Sequence, residues 1–211
     1  MADREVARVL DVGAGTGFLS LILDEIGLDV TGVDLSAGML SFAKEASLHQ
    51  KRDLGLCLGD AESLPFQSSS FDLVTSRHLL WTLPDPARAI AEWMRVLRPG
   101  GMIIAIDGNW FDPAPKKRIS RWMSGNLARF TKDRNPVPFS RFYEPIEEHL
   151  PLYRASRPDQ CQDLFEAAGL KMVAIDLLKD VNRFYKRNAR LPFRLANSED
   201  VFLVKGEKER L

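Results

Sequence analysis

Two aspartates and three glycines stand where apolar runs of this chain break off, and together they suggest a ligand site. The segment VLDVGAGTGFLS, residues 9–20, carries Asp11 and then Gly13, Ala14, Gly15 and Gly17 in a turn between a strand-like run and a helix-like one. Glycines there allow positive φ and let a ligand lie against bare backbone, with the N–H groups of the following helix pointing at it. The dinucleotide spacing is G-x-G-x-x-G/A; here Phe18 stands where the last glycine belongs and Gly17 comes one residue early, which argues against NAD. Asp11 would repel a pyrophosphate but attract an amino-acid ammonium. Asp34, followed by Leu35 in VTGVDLS, is placed at the end of a second apolar run to accept from both hydroxyls of a ribose. An ammonium and a ribose diol on one ligand fit S-adenosylmethionine.

Three histidines are the candidates for proton chemistry near neutral pH. His78 follows the fourth apolar run and His149 lies in a proline-broken region; both are read as candidate catalytic bases, set against a plain structural imidazole. His49, at the end of a helix-like stretch, reads as a surface residue favoured by the helix dipole. Arg77 beside the strand ends needs a partner, and a ligand carboxylate is the expected one. Trp81 suits either an acceptor-pocket wall or the core, Trp93 the core, and Trp110 and Trp122 packing within the insertion described below. Cys57 and Cys161 lie far apart with no C-x-x-C, so free buried thiols are expected rather than a disulfide or a zinc site.

Positioning these groups takes an alternation of strands and helices. Apolar runs at about 6–12, 29–34, 53–58, 71–76, 101–107, 170–177 and 200–205 read as strands, and helical periods at about 17–27, 36–49, 86–97 and 158–168 fall between them. Ser36 is expected to cap the second helix, Asp85 with Pro86 to open the third, and Pro99-Gly100-Gly101 to stop it. The fold class is α/β: a Rossmann-like, seven-stranded, mostly parallel sheet with its last strand antiparallel and helices on both faces. Residues 1–211 read as one domain. Residues 108–157 form an insertion after the fifth strand, with a helical stretch near 115–131, then prolines and aromatics. Its 10 basic and 5 acidic side chains give net +5, against −6 for residues 1–107 and +1 for 158–211, so the neutral total of 29 against 29 conceals a basic segment. Length, proline breaks and charge suit a mobile lid over the strand ends, outside the core, whose arginines would favour an acidic acceptor.

No apolar run approaches a membrane span and the N-terminus has no apolar leader, so a soluble cytoplasmic protein without a membrane partner is expected.

The order of motifs resembles class I S-adenosylmethionine-dependent methyltransferases of the type 11 group, which includes quinone-biosynthesis enzymes. The matching segments are VLDVGAGTGFLS, VTGVDLS, GDAESLPF at 59–66, FDLVTSRHLLWTLPDP at 71–86 and EWMRVLRPGG at 92–101. The resemblance implies that Asp11 and the loop glycines hold the methionine end, Asp34 the ribose, and Asp60 with Ala61 the adenine, while Arg77 and His78 lie near the transferable methyl. Members of this group usually carry further residues before the first strand that help close the cofactor site; the expectation is either a shortened form, or cover supplied by the insertion together with a second subunit in a homodimer. Motifs of DNA amino, pyrimidine C5 and magnesium-dependent catechol enzymes are missing, so neither DNA nor a metal is expected. A small-molecule acceptor leads. RNA methylation is an alternative motivated by the basic insertion, and a cofactor-binding protein without turnover is another.

Overall fold

Val9, Leu10 and Val12 are buried side by side in β1 (Arg8–Val12), as expected of a strand covered on both faces. The computed structural model describes residues 7–108, 110–111, 119, 143–154, 156–188 and 201–210. After β1 come α1 (Phe18–Glu25), β2 (Asp29–Asp34), α2 (Ala37–His49), β3 (Gly55–Leu58) and β4 (Phe71–Arg77). A 3-10 turn (Leu80–Thr82) leads to α3 (Pro86–Val96) and β5 (Leu97–Gly108); a second 3-10 turn (Glu147–His149) precedes α4 (Pro158–Ala167), β6 (Lys171–Asp176), α5 (Lys179–Asn188) and β7 (Val201–Glu207).

One seven-stranded sheet runs in the order β3-β2-β1-β4-β5-β7-β6, with β7 antiparallel to both neighbours. The chain winds outward from β1 to β3, returns to β4 and winds the other way. The carboxyl ends of β1 and β4 therefore diverge into a crevice, where open α/β sheets take ligands. On one side α3 buries Ala89, Ile90, Trp93 and Val96 at helical spacing against the sheet, and α4 adds Cys161 and Phe165 to the same core.

The expected caps form, with Ser36 accepting from the Met39 N–H at 3.2 Å and Asp85 from the Arg88 N–H at 3.0 Å. Pro99-Gly100-Gly101 behaves differently from expectation. The helix has already stopped at Val96, and these residues form an irregularity in β5, between the Phe71–Leu97 and Leu73–Met102 pairs. Lys208 stops the helix instead: its ammonium donates to the carbonyls of Met94 and Leu97 at 2.8 and 2.7 Å. Helix α5 was not anticipated, because only Asn182 along it is buried and its sequence has no core-facing stripe.

Apart from Ile119, the helix expected near 115–131, with Trp122, Pro136 and Pro138, lies outside the described residues, whereas Pro145 and Pro151 fall in the described segment 143–154. Where the insertion is described, the expectation that it stays out of the core is corrected. Leu150, Leu152 and Tyr153 belong to the main core. Trp81 is buried among Tyr143, Phe111 and Tyr153, with ring centroids 4.8, 5.3 and 5.9 Å away, and Phe111 stacks on Tyr153 at 4.3 Å. Proline breaks exclude long helices but not burial, and aromatics bury large area from short irregular segments.

Candidate active site

The loops following β1, β2 and β3 are knit together at one residue. Asp34 accepts the Gly15 N–H on one carboxylate oxygen and the Ser36 N–H on the other, both at 2.8 Å, while its carbonyl accepts the Gly59 N–H at 3.0 Å. The glycine loop is fastened to β2 as well, since the Gly13 and Ala14 N–H groups both donate to the Val33 carbonyl. Gly13, Gly15 and Gly17 all have positive φ, at 70°, 56° and 80°. A side chain on Gly13 would meet Leu79 at 2.8 Å, whereas one on Gly15 would enter nearly open space. Leu79 thus packs the β4 exit onto the glycine loop and leaves Gly15 as the bare face. Leu35 is strongly exposed beside Asp34.

Asp11 lies deeper than the sequence suggests. Its carboxylate is 1% exposed, accepting from the Ser20 hydroxyl at 2.6 Å and the Thr75 hydroxyl at 3.2 Å. Burial pushes its pKa up to about 6, against those hydrogen bonds and the positive field of Arg77. Its charge is therefore held beneath the loop by β4 and α1. Ser20 and Thr75 were missed in the sequence, though a serine three residues past a glycine turn and a polar residue inside an apolar strand were the available signals.

At the end of β4, His78 adopts φ 57° and donates its N–H to the Ile106 carbonyl at 2.8 Å. Its ring stands edge-on to Trp110 at 4.9 Å. Burial, and secondarily the Arg77 charge, lowers its pKa to about 4, so the imidazole is neutral at pH 7. Its Nδ1 and the hydroxyl of Ser76 are buried without a hydrogen-bond partner among the described residues. Two such groups at the end of the strand beside the crevice are suited to a bound ligand. The Arg77 guanidinium lies over the ring of Phe18 at 4.7 Å, a partner that sequence reasoning did not foresee.

Asp60 is held within its own turn and Ala61 by α3. Asp60 accepts the Glu62 N–H at 2.9 Å, and Trp93 Nε1 donates to the Ala61 carbonyl at 3.2 Å. Glu92 accepts the Leu64 N–H at 2.9 Å and pairs with Arg95, which donates to the carbonyls of Leu64 and Phe66. The segments GDAESLPF and EWMRVLRPGG are thus two sides of one brace. The Glu92–Arg95 spacing was the unused sequence signal.

Other candidates fall elsewhere. His149 is 71% exposed beside Glu148, without the burial that shapes His78. His49 is on the surface facing Glu45 as expected. Cys161 is buried, its thiol pushed up to about 12, but Cys57 is only half-buried, correcting the expectation of two buried thiols. Two of the insertion's arginines already face carboxylates, Arg154 with Glu147 and Arg157 with Asp159. Asp107, not singled out as a site residue, is fully buried at the end of β5, accepting the Gly108 N–H at 2.8 Å. Burial pushes it up to about 7, against the Gly108, Trp81 and Leu80 N–H groups and the Trp110 side chain. Among the described residues no group of three or more metal-ligating side chains converges, and no helix is long and apolar enough to cross a membrane.

A doubly wound sheet with a bare glycine loop at the crevice, an acid ending β2 and a braced loop after β3 has the form of a class I S-adenosylmethionine site. A family model described as a methyltransferase domain matches residues 10–105. The demethylmenaquinone methyltransferase of Staphylococcus aureus is 39% identical over 182 residues, 83% of this chain and 72% of that enzyme. The demethylmenaquinone methyltransferase of Renibacterium salmoninarum is 42% identical over 100 residues, 47% of this chain but only 40% of that enzyme's length. Phosphoethanolamine N-methyltransferase 2 of Haemonchus contortus, solved with phosphomonomethylethanolamine and S-adenosylhomocysteine, shares the fold with a TM-score of 0.65 at 18% identity, over 97% of this chain and 49% of that one. The chain belongs to the class I S-adenosylmethionine-dependent methyltransferases, in the type 11 group. The cofactor of that family is S-adenosylmethionine.

Proposed function

We propose that this chain transfers the methyl group of S-adenosylmethionine to a small quinone-like acceptor. The observation that carries the reading is the junction at Asp34, where the loops after β1, β2 and β3 meet beside the bare backbone of Gly15. The kinship with demethylmenaquinone methyltransferases supports the acceptor class.

In this reading Asp34, with Leu35 beside it, takes the ribose. The Gly13-Ala14-Gly15 backbone and Gly17 take the methionine end, over the buried charge of Asp11. Asp60 and Ala61 take the adenine, and Arg77, held over Phe18, faces the methionine carboxylate. The bound cofactor supplies an electrophilic methyl on a sulfonium. The protein orients the acceptor for in-line attack and keeps water away. His78 accepts a hydrogen bond from an acceptor hydroxyl through Nδ1; its lowered pKa makes it an orienting group before it is a base. His149 has no part in this scheme.

Calorimetry with S-adenosylhomocysteine and with NAD tests the cofactor half: the first binds and the second does not. Turnover with labelled cofactor and a short-chain demethylated naphthoquinol tests the acceptor half, the expected product being heavier by one methyl. Cofactor binding without methylation of any quinol would overturn the acceptor class alone. Absence of S-adenosylhomocysteine binding would overturn the site.

A further inference from the structure

Helix α5 turns almost nothing toward the protein. Its single buried residue is Asn182, whose side-chain amide donates to the carbonyls of Leu177 and Val201 and whose carbonyl oxygen accepts the Val201 N–H, at 2.7, 2.8 and 2.8 Å. At 3.6 residues per turn, Val181, Phe184 and Tyr185 share one side of the helix, while Lys179, Arg183, Lys186 and Arg187 share the opposite side. Both sides face outward. Phe184 is 63% exposed, and Val181, Tyr185 and the preceding Leu177 are exposed as well. Lys179, Arg183 and Arg187 carry three formal positive charges beside the one negative charge of Asp180, whose ion pair with Arg183 is long, at 3.5 Å, and open to solvent.

A helix whose apolar side is turned away from the core and flanked by cations has the character of a segment that lies in a membrane interface. Its place in the fold adds to this. Val201, the residue Asn182 grips, pairs with Gly108 at the end of β5, two residues before Trp110 and at the same rim of the sheet as His78. The clamp therefore sets α5 at the crevice end of the sheet.

We propose that α5 is an interfacial helix that docks the protein on an anionic phospholipid surface. Val181, Phe184 and Tyr185 enter the boundary between headgroups and acyl chains, while the basic side meets lipid phosphates. Charge complementarity selects the anionic surface, and an aliphatic-aromatic face suits hydrocarbon better than it suits stacked bases. The inference rests on α5 alone and holds whichever acceptor is methylated.

Co-sedimentation of the full chain with vesicles tests it, using phosphatidylcholine alone and phosphatidylcholine with phosphatidylglycerol in equal parts. Binding is expected to the mixed vesicles only and to weaken with salt. F184E should lower the vesicle affinity at least about tenfold. The double variant R183E/R187E should abolish the preference for phosphatidylglycerol. F42E, which changes an exposed aromatic on α2, should leave binding intact, and circular dichroism should show all variants folded. Equal binding by F184E and the native chain would overturn the proposal. So would loss of binding in F42E equal to that in F184E, or lipid-independent self-association that F184E removes, which would assign the face to a second copy.

Discussion

In the proposed site Asp34 would combine two tasks, its carboxylate accepting the Gly15 N–H and so ordering the glycine loop while its remaining lone pairs meet the ribose diol. D34A should lower S-adenosylhomocysteine affinity by more than tenfold, the loss of charge-assisted hydrogen bonds at roughly 1.5–3 kcal/mol each, while D34N should lose less. Calorimetry on both variants checks this; equal losses would show that the charge and the second acceptor oxygen carry the whole effect, and unchanged affinity in D34A would remove Asp34 from the site. Asp107 governs a pH effect. Its pKa is raised from 3.8 to about 7, so its contribution to stability is complete below 3.8 and is lost as pH climbs through 7. Asp11 acts in the same sense, with its loss passing through about 6. His78 acts in the opposite sense: lowered from 6.5 to about 4, its contribution is present above 6.5 and lost as pH falls toward 4. D107N should therefore flatten the fall in stability between pH 5 and 7, where one such group supplies a slope of up to about 1.4 kcal/mol per pH unit. Urea titrations across that window should show a shallower slope for the variant; parallel slopes would remove Asp107 as the source.

At the scale of elements, the glycine loop and the β4 exit are matched parts. Gly13→Ala should cost about 1–3 kcal/mol, from positive φ and from a methyl pressed on Leu79. Adding Leu79→Ala should relieve the packing share and leave the backbone share, so a double-mutant cycle by denaturant unfolding should show coupling. Strict additivity would place the whole cost in the backbone. The motifs at 9–20, 30–36, 59–66 and 92–101 were legible as sequence because each is local. Their mutual bracing was not, since Glu92 reaching Leu64 and Trp93 reaching Ala61 join residues about thirty apart.

At the scale of the molecule, Trp93 joins core and site, its ring wholly buried and its N–H on Ala61. Trp93→Ala should cost about 3–5 kcal/mol. Leu150→Ala should cost about 2–5 kcal/mol, as for any core leucine, if residues 143–154 are part of the fold rather than a loose cover. Thermal unfolding measured on both variants decides this, and an unchanged Tm for Leu150→Ala would return that segment to the role of a cover.

Alternation of apolar runs with helical periods determined the mostly parallel α/β sheet, because burial on both faces leaves its mark on the inner strands β1, β2, β4, β5 and β7. Asp11, Gly13, Gly15 and Asp34 were legible because strand-end acids and loop glycines answer to local backbone geometry. Only the tertiary structure decided how far each polar group is buried. It sank Asp11 and Asp107, made His78 neutral, left His149 in solvent, set Phe18 under Arg77 and drew Leu150 and Tyr153 into the core. Burial and electrostatic field are sums over neighbours distant in sequence, and local spacing carries no record of them.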